Sequence, residues 1–218
     1  MAAGKKGQFK NSKVHLIDHP VIDRDITILR SRSTSRPAFR AAISRVSTIL
    51  AYHSLTNLPI NHIGVTTPVA PTKGFEIAAD IIVVPILRAG LSLVDGILHF
   101  FPHAKVGHLG MYRDEETKQP VDYYSNLPKG NPEDIYLVVD PMLATGGSAC
   151  DAINFLKSKG IGNIRFVCLI AAPEGLERLN KEHPNVNVVT AAIDEKLNDD
   201  AFIVPGLGDA GDRYFGTE

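Results

Sequence analysis

Residues 135–160 read IYLVVDPMLATGGSACDAINFLKSKG. The run Ile135–Val139 is apolar and rich in β-branched residues, the signature of a buried strand. It ends on Asp140. A loop of small residues follows, Ala144-Thr145-Gly146-Gly147-Ser148, then a helical stretch from Ser148 to Ser158 closed by Gly160. Strand, acid, glycine loop and helix in this order build an anion site in an α/β protein. The loop amides and the first helical turn carry N–H groups without intrahelical partners, and the helix dipole favours negative charge there. Gly146 and Gly147 let the backbone approach a ligand closely. Thr145 and Ser148 add hydroxyl donors. An ordinary glycine-rich strand-to-helix turn capped by Ser148 would have the same composition.

Two common phosphate loops do not fit. A P-loop needs G-x-x-x-x-G-K-[ST], and no lysine stands in this loop. A Rossmann turn needs G-x-G-x-x-G, which is absent. Here the acid comes first, where it can accept hydrogen bonds from sugar hydroxyls, and the loop can take the sugar's phosphate. That order suits a phosphorylated ribose.

Working outward, the pattern alternates. Strands are expected at Ile81–Ile86, Lys105–Met111, Ile135–Val139, Ile164–Ala171 and Val186–Ile193. Helices are expected at Leu91–Phe101, Ser148–Ser158 and Gly175–Glu182. Such alternation predicts an α/β fold: a mostly parallel sheet with helices on both faces, whose ligands bind beyond the carboxyl ends of the strands. Upstream, Phe39, Ile43, Val46, Leu50 and His53 form one stripe of a helix over 36–53, with Pro37 in its first turn and Ser35 as cap. His53 reads as a packed residue. Six arginines crowd this region (Arg24, Arg30, Arg32, Arg36, Arg40 and Arg45), as surface charge or as an anion or effector site. Residues 57–79 read as a small β-arm and residues 1–12 as a flexible tail, leaving 13–218 as one domain.

The strand-end rule directs attention to three further loops. After Val84 comes PILRAG, in which Arg88 precedes two small residues at a helix start, a second anion-binding turn. After Met111 comes YRDEETKQPVDYYSN, long, charged and aromatic, which reads as a mobile lid over 112–124 or as a solvated hairpin. Arg113 stands where the strand ends and can pair with phosphate. The C-terminal FIVPGLGDAGDRYFGT holds Gly206, Gly208, Gly211 and Gly216 with Asp209 and Asp212. Exposed main-chain N–H and C=O edges of such a segment match a flat heterocycle.

Composition narrows the partners. The 218 residues are 44% hydrophobic and 22% charged, with a net charge of −1. That balance excludes neither catalysis nor binding, but argues against nucleic acid or an anionic membrane as the main partner. No apolar run approaches the ~20 residues of a membrane span, and MAAGKKGQFKNSK lacks a signal-peptide core. Cys150 and Cys168 suggest neither a zinc site nor a disulfide framework, so a cytoplasmic location is expected. Both read as core thiols, with Cys150 open to acidification near a helix start.

The words VVPILRAGLSLVDG, GMYRDEET, VVDPMLATGGSA, AAPEG and VPGLGDAGDRYFGT together resemble the uracil phosphoribosyltransferases, of the type I phosphoribosyltransferase fold. They stand in the family's order and cover most of residues 15–218. The resemblance implies a glycosyltransferase of pyrimidine salvage: uracil and 5-phosphoribosyl 1-diphosphate (PRPP) give UMP and diphosphate, with Mg²⁺, through an oxocarbenium-like state. By resemblance, Arg88 and Arg113 hold the diphosphate and Asp140 takes the ribose hydroxyls. Ala144, Thr145, Gly146, Gly147 and Ser148 cradle the 5′-phosphate, with Pro141, Met142 and Leu143 in the same PRPP-binding run. Ile203, Gly208, Asp209 and Ala210 form the uracil site under a hood over 195–218, with Asp209 also near the donor. Arg88, Arg113, Asp140 and Asp209 are thereby the catalytic residues. Mg²⁺ is expected to be held mainly by PRPP and water, with no direct protein ligand. Asp209 and a departing diphosphate oxygen are equal alternatives as base for uracil N1. Many members of the wider superfamily carry paired acids where this chain has Val139-Asp140, so ribose holding rests on Asp140. A homodimer or homotetramer and a GTP effector also follow from the resemblance; the arginine-rich N-terminal segment, with Arg32 and Arg36, is the expected effector site. The alternative is a uracil-nucleotide-binding regulator with this fold and little catalysis.

Overall fold

The computed structural model describes residues 13–113 and 120–217. In chain order the elements are β1 (Val14–Leu16), α1 (Pro20–Arg30), α2 (Arg36–Ser54), β2 (Ile60–Thr66), β3 (Pro71–Ile77), β4 (Ile81–Pro85), α3 (Leu91–Phe100), β5 (Lys105–Val106), β6 (His108–Arg113) and β7 (Pro120–Asn126). There follow β8 (Ile135–Val139), β9 (Met142–Leu143), α4 (Gly147–Ser158), β10 (Ile164–Ala171), α5 (Pro173–Glu182), β11 (Asn187–Ile193), β12 (Lys196–Leu197), β13 (Ile203–Val204) and α6 (Ala210–Phe215). The expected tail over 1–12 and the tip of the expected lid, 114–119, lie outside the described residues.

The central sheet runs β1-β11-β10-β8-β4-β5, with β9 also on β10, and its pairings are parallel. Every residue of β4 and β8 is buried, as a strand covered on both faces requires. Successive side chains point to opposite faces. Ile81, Val83, Leu137 and Val139 pack with Leu29, Phe39, Ile43 and Leu93 of α1–α3. Ile82, Val84, Tyr136 and Val138 pack with Ile153, Leu156, Leu176 and Leu179 of α4 and α5. The expected doubly covered parallel sheet is the observed one.

Chain order reverses between β4 and β8. The crossover after β4 leads to β5 on one side, and the crossover after β8 leads to β10 on the other. The loops leaving these strands therefore diverge and open a crevice. A hydrogen bond from the Ile86 N–H to the Val139 carbonyl (3.0 Å) holds the two loops together at its base.

Three expectations change. The strand over Lys105–Met111 is broken at Gly107: β5 stays in the sheet, while β6 leaves it to pair with β7 in an antiparallel ribbon. A side chain at Gly107 would press on Leu127 (2.8 Å) and Pro128 (3.0 Å), which pack where the chain departs. The N-terminal region is more ordered than the sequence reading allowed, for β1 and α1 were not foreseen. Ser35 sits at the N-cap of α2 but makes no side-chain capping bond. The β-arm is β2 paired antiparallel with β3, and Ile60, Val69 and Phe75 on it are exposed. His53 is half-buried with its ring edge against Tyr52.

Most of the crowded arginines serve the fold. Asp25 is fully buried on α1, held by Arg45 (2.9 Å) and Arg24 (2.8 Å). Burial alone would raise its carboxyl; the guanidinium hydrogen bonds outweigh burial and hold it below the usual range. Arg40 donates to the Tyr214 carbonyl (2.9 Å). Arg32 and Arg36 stay exposed.

Candidate active site

Asp140 lies at the carboxyl end of β8, on the floor of the crevice. Pro141 behind it is buried, and its carbonyl accepts from the Leu169 and Ile170 N–H groups (3.0 and 3.2 Å), fixing the chain against β10. Leu143 is also buried, its carbonyl accepting from Ala172 (2.9 Å). From this anchored base the loop Ala144–Ser148 rises and turns into α4. Gly146 takes φ +77° at the N-cap, where a residue with a Cβ is disfavoured. The Gly147 N–H leans on the Thr145 hydroxyl (3.4 Å). Asp140, Met142 and Ala144–Ser148 surround a small cleft of about 80 Å³. It is lined by the first turn of α4, whose amides lack intrahelical partners.

Gly175 seats this loop. It stands on the first turn of α5, where a Cβ would collide with the Ala144 carbonyl and press on that of Leu143 (2.8 Å). A Cβ on Gly146 would in turn lie 2.9 Å from the Gly175 carbonyl. Two backbones touch here because both residues are glycine.

The C-terminal segment faces the loop. β13 pairs with β12, and the chain then runs through Pro205–Gly208 to Asp209, which caps α6 by accepting from the Asp212 N–H (2.9 Å). Asp140, Met142 and Ala144 on one side, and Ile203, Gly208, Asp209 and Ala210 on the other, line a cleft of about 310 Å³. It shares Asp140, Met142 and Ala144 with the smaller cleft, so the two are continuous. Ala89, from the loop after β4, completes the wall. Arg88, the residue before Ala89, lines neither cleft; its side chain is 64% exposed and lies 3.5 Å from Asp212.

Burial pushes the Asp140 carboxyl up to about 7, and the Asp209 carboxylate adds to that; the Met142 N–H (3.4 Å) opposes it. Two carboxylates thus face one space, poised for hydroxyl groups or for cationic charge. Carboxylate oxygens are hard donors of the kind Mg²⁺ takes. Cys150 is not acidic: burial, then the Glu182 carboxylate, pushes its thiol up to about 12. Cys168 is likewise pushed up to about 12 by burial.

The structure thus brings Asp140, the 144–148 loop, Ile203 and Gly208–Ala210 to one crevice, whereas the Arg88 side chain lies outside both cleft linings, beside Asp212. Arg113 ends β6 with its backbone opposite Pro120; its side chain lies outside the described residues. Sequence reasoning missed Asp200, Ala201 and Phe202, the tip of the β12–β13 hairpin, which also line the cleft. The run Asn198-Asp199-Asp200 was the available turn signal. Gly175 stands in the sequence only as the expected start of a helix and as part of AAPEG, with no role at the site.

The sequence profile of the uracil phosphoribosyltransferase family matches residues 16–217. The chain belongs to that family. A uracil phosphoribosyltransferase of Salinibacter ruber is 53% identical over 204 residues, 94% of this chain and 97% of its own. One from Clostridium perfringens is 53% identical over 208 residues, 95% of this chain and 100% of its own. Among solved structures, a protein from Aquifex aeolicus superposes with a TM-score of 0.87 at 36% identity, over 94% of this chain and 99% of that one. The family's match spans the phosphate-loop side and the C-terminal side of the crevice alike.

Proposed function

We propose that the crevice transfers a 5-phosphoribosyl group from PRPP to uracil, giving UMP and diphosphate. The observation that supports this most is the joining of the Asp140 loop cleft to the main-chain wall at Ile203 and Gly208–Ala210. One side suits a phosphorylated ribose and the other a flat base, and the anomeric carbon would lie between them. The 5′-phosphate rests on Ala144–Ser148 and the α4 N-terminus. Asp140 accepts the ribose hydroxyls. The diphosphate leaves toward Arg88 and Arg113, and Mg²⁺, when bound, supplies further charge neutralisation. Positive charge at the anomeric carbon develops near Asp140 and Asp209, so catalysis is mainly positioning and charge stabilisation. Incubation with labelled uracil, PRPP and Mg²⁺ tests the reading: labelled UMP supports it, and its absence at stoichiometric enzyme rejects it.

The Asp140 carboxyl, raised to about 7, gives that reaction a pH signature. Only the ionised form accepts from both ribose hydroxyls, so kcat/KM for PRPP rises with pH through about 7. Base choice follows from polarity. A main-chain N–H facing uracil O4 would meet the amino group of cytosine. Each buried group so left unpaired costs ~1–3 kcal/mol. Uracil is therefore favoured over cytosine by at least about tenfold in kcat/KM, measured by competition; equal use of the two bases contradicts the assignment.

The exposed Arg32 and Arg36 open on a cavity of about 530 Å³ behind the Gly206–Asp209 wall, and we assign them the GTP effector role. Reversing both charges abolishes any GTP activation while basal turnover persists; an unchanged GTP response removes the role. The exposed apolar residues of the β2–β3 arm suit subunit contacts in a dimer or tetramer. Two free buried cysteines suit a reducing cytoplasm.

A further inference from the structure

Asp194 both begins and closes the segment that carries the base wall. Its N–H donates to the Ala171 carbonyl at the end of β10 (2.9 Å). The chain leaves as β12, turns over Asn198–Phe202, returns as β13 and comes back to the same side chain. There the Gly206 N–H donates to Asp194 Oδ2 (2.8 Å). Arg30, the last residue of α1, closes the ring. Its guanidinium donates to both carboxylate oxygens (2.7 and 2.5 Å) and to the Gly206 carbonyl (2.8 Å). One ion pair therefore grips both the N–H and the C=O of one glycine. Gly206 is suited to that grip: it takes φ +59°, and a Cβ there would collide with the Ile203 carbonyl.

The Asp194 side chain is 5% exposed and that of Arg30 26%. Buried ion pairs add little net stability over apolar replacements; their best-attested use is to fix registry. Here the registry concerns the cleft. Ile203 stands three residues before Gly206 and Gly208 two residues after, and both line the cleft. Neither Arg30 nor Asp194 lines it. The opposite wall, Asp140–Ser148, is anchored on β8, α4 and the end of β10, and among the described residues no hydrogen bond joins it to either side chain of the pair.

We infer that Arg30 and Asp194 are positioning residues for the base subsite. They set where the main-chain edges of Ile203 and Gly208–Ala210 stand relative to the ribose-phosphate half. The inference rests on reading the crevice as the site of PRPP and uracil. Loosening the grip then moves one wall only, so the two substrates respond differently. Lysine at Arg30 keeps the charge but loses the planar fork that bonds Asp194 and Gly206 together. A shift of about 1 Å in a positioned group can cost up to ~100-fold in rate.

The test uses the full chain as Arg30→Lys and Asp194→Asn, with steady-state kinetics in each substrate and melting temperature measured together. In both variants KM for uracil rises at least ~10-fold and the preference for uracil over cytosine falls by a similar factor, while KM for PRPP stays within about twofold. Parallel rises in both KM values that track a loss of Tm point to a merely structural pair and overturn the inference, as does an unmoved KM for uracil. Should Asp194→Asn fail to fold, Arg30→Lys decides by the same criteria. A wild-type protein that forms no UMP sinks the underlying reading and the inference with it; an active wild type with unmoved variants sinks the inference alone.

Discussion

Asp140→Asn lowers turnover at least ~100-fold, the scale of losing one placed electrostatic partner, and at the same time makes the folded protein more resistant to heat at pH 8. Turnover falls because an amide neither carries the charge that faces the developing cation nor accepts from both ribose hydroxyls. The stability gain follows from linkage. The folded carboxyl titrates at about 7 and its ordinary value is 3.8, so between those values the native state holds a proton that the unfolded chain has lost. Unfolding there releases a proton, and stability falls as pH rises from about 4 to about 7. Asparagine does not titrate and escapes that fall. Melting curves at pH 5 and pH 8 show wild type losing more Tm than the variant. A variant with near-normal turnover, or with the wild-type pH dependence of Tm, contradicts this role.

Gly175→Ala raises KM for PRPP by up to ~100-fold, although the residue lines neither cleft. Its Cβ would collide with the Ala144 carbonyl and press on that of Leu143 at 2.8 Å. Backbone cannot rotate out of the way as a side chain can, so the phosphate loop or α5 shifts. Gly160→Ala is the control. Gly160 also has positive φ (+81°), but no atom lies within 4 Å of an added Cβ. That variant shows strain alone: a modest loss of Tm with KM for PRPP unchanged. Equal kinetics in the two variants would remove the seating role of Gly175.

The elements that positioned the site were legible where local pattern and tertiary demand agree. Ile135–Val139 and Ile164–Ala171 appear with the expected bounds because each is an apolar run covered on both faces. Alternation predicts a parallel sheet covered on both faces, but not the order of its strands, and so not the crevice between β4 and β8. Helix α1 escaped notice although Ile22, Ile26 and Leu29 form a stripe. Asp25 sits buried among them, neutralised by Arg24 and by Arg45 twenty residues on, and a charge on the inner face hides the pattern. The split at Gly107 depends on Leu127 and Pro128, which no local window contains. Within the site, Asp140 and the glycine loop announce themselves by type and order. Phe202 and its neighbours stand on a hairpin whose base is closed by Asp194 and Arg30, 164 residues apart in sequence. Contacts of that kind leave no trace in spacing.

The central claim is that one nucleotide spans the crevice, its phosphate on the glycine loop and its base against the C-terminal main chain. A crystal structure of the full chain soaked with UMP tests it most directly. The account predicts the 5′-phosphate on Ala144–Ser148, the ribose hydroxyls on Asp140 and the pyrimidine edge along Ile203 and Gly208–Ala210. UMP bound elsewhere, or with base and phosphate exchanged between those two walls, contradicts it.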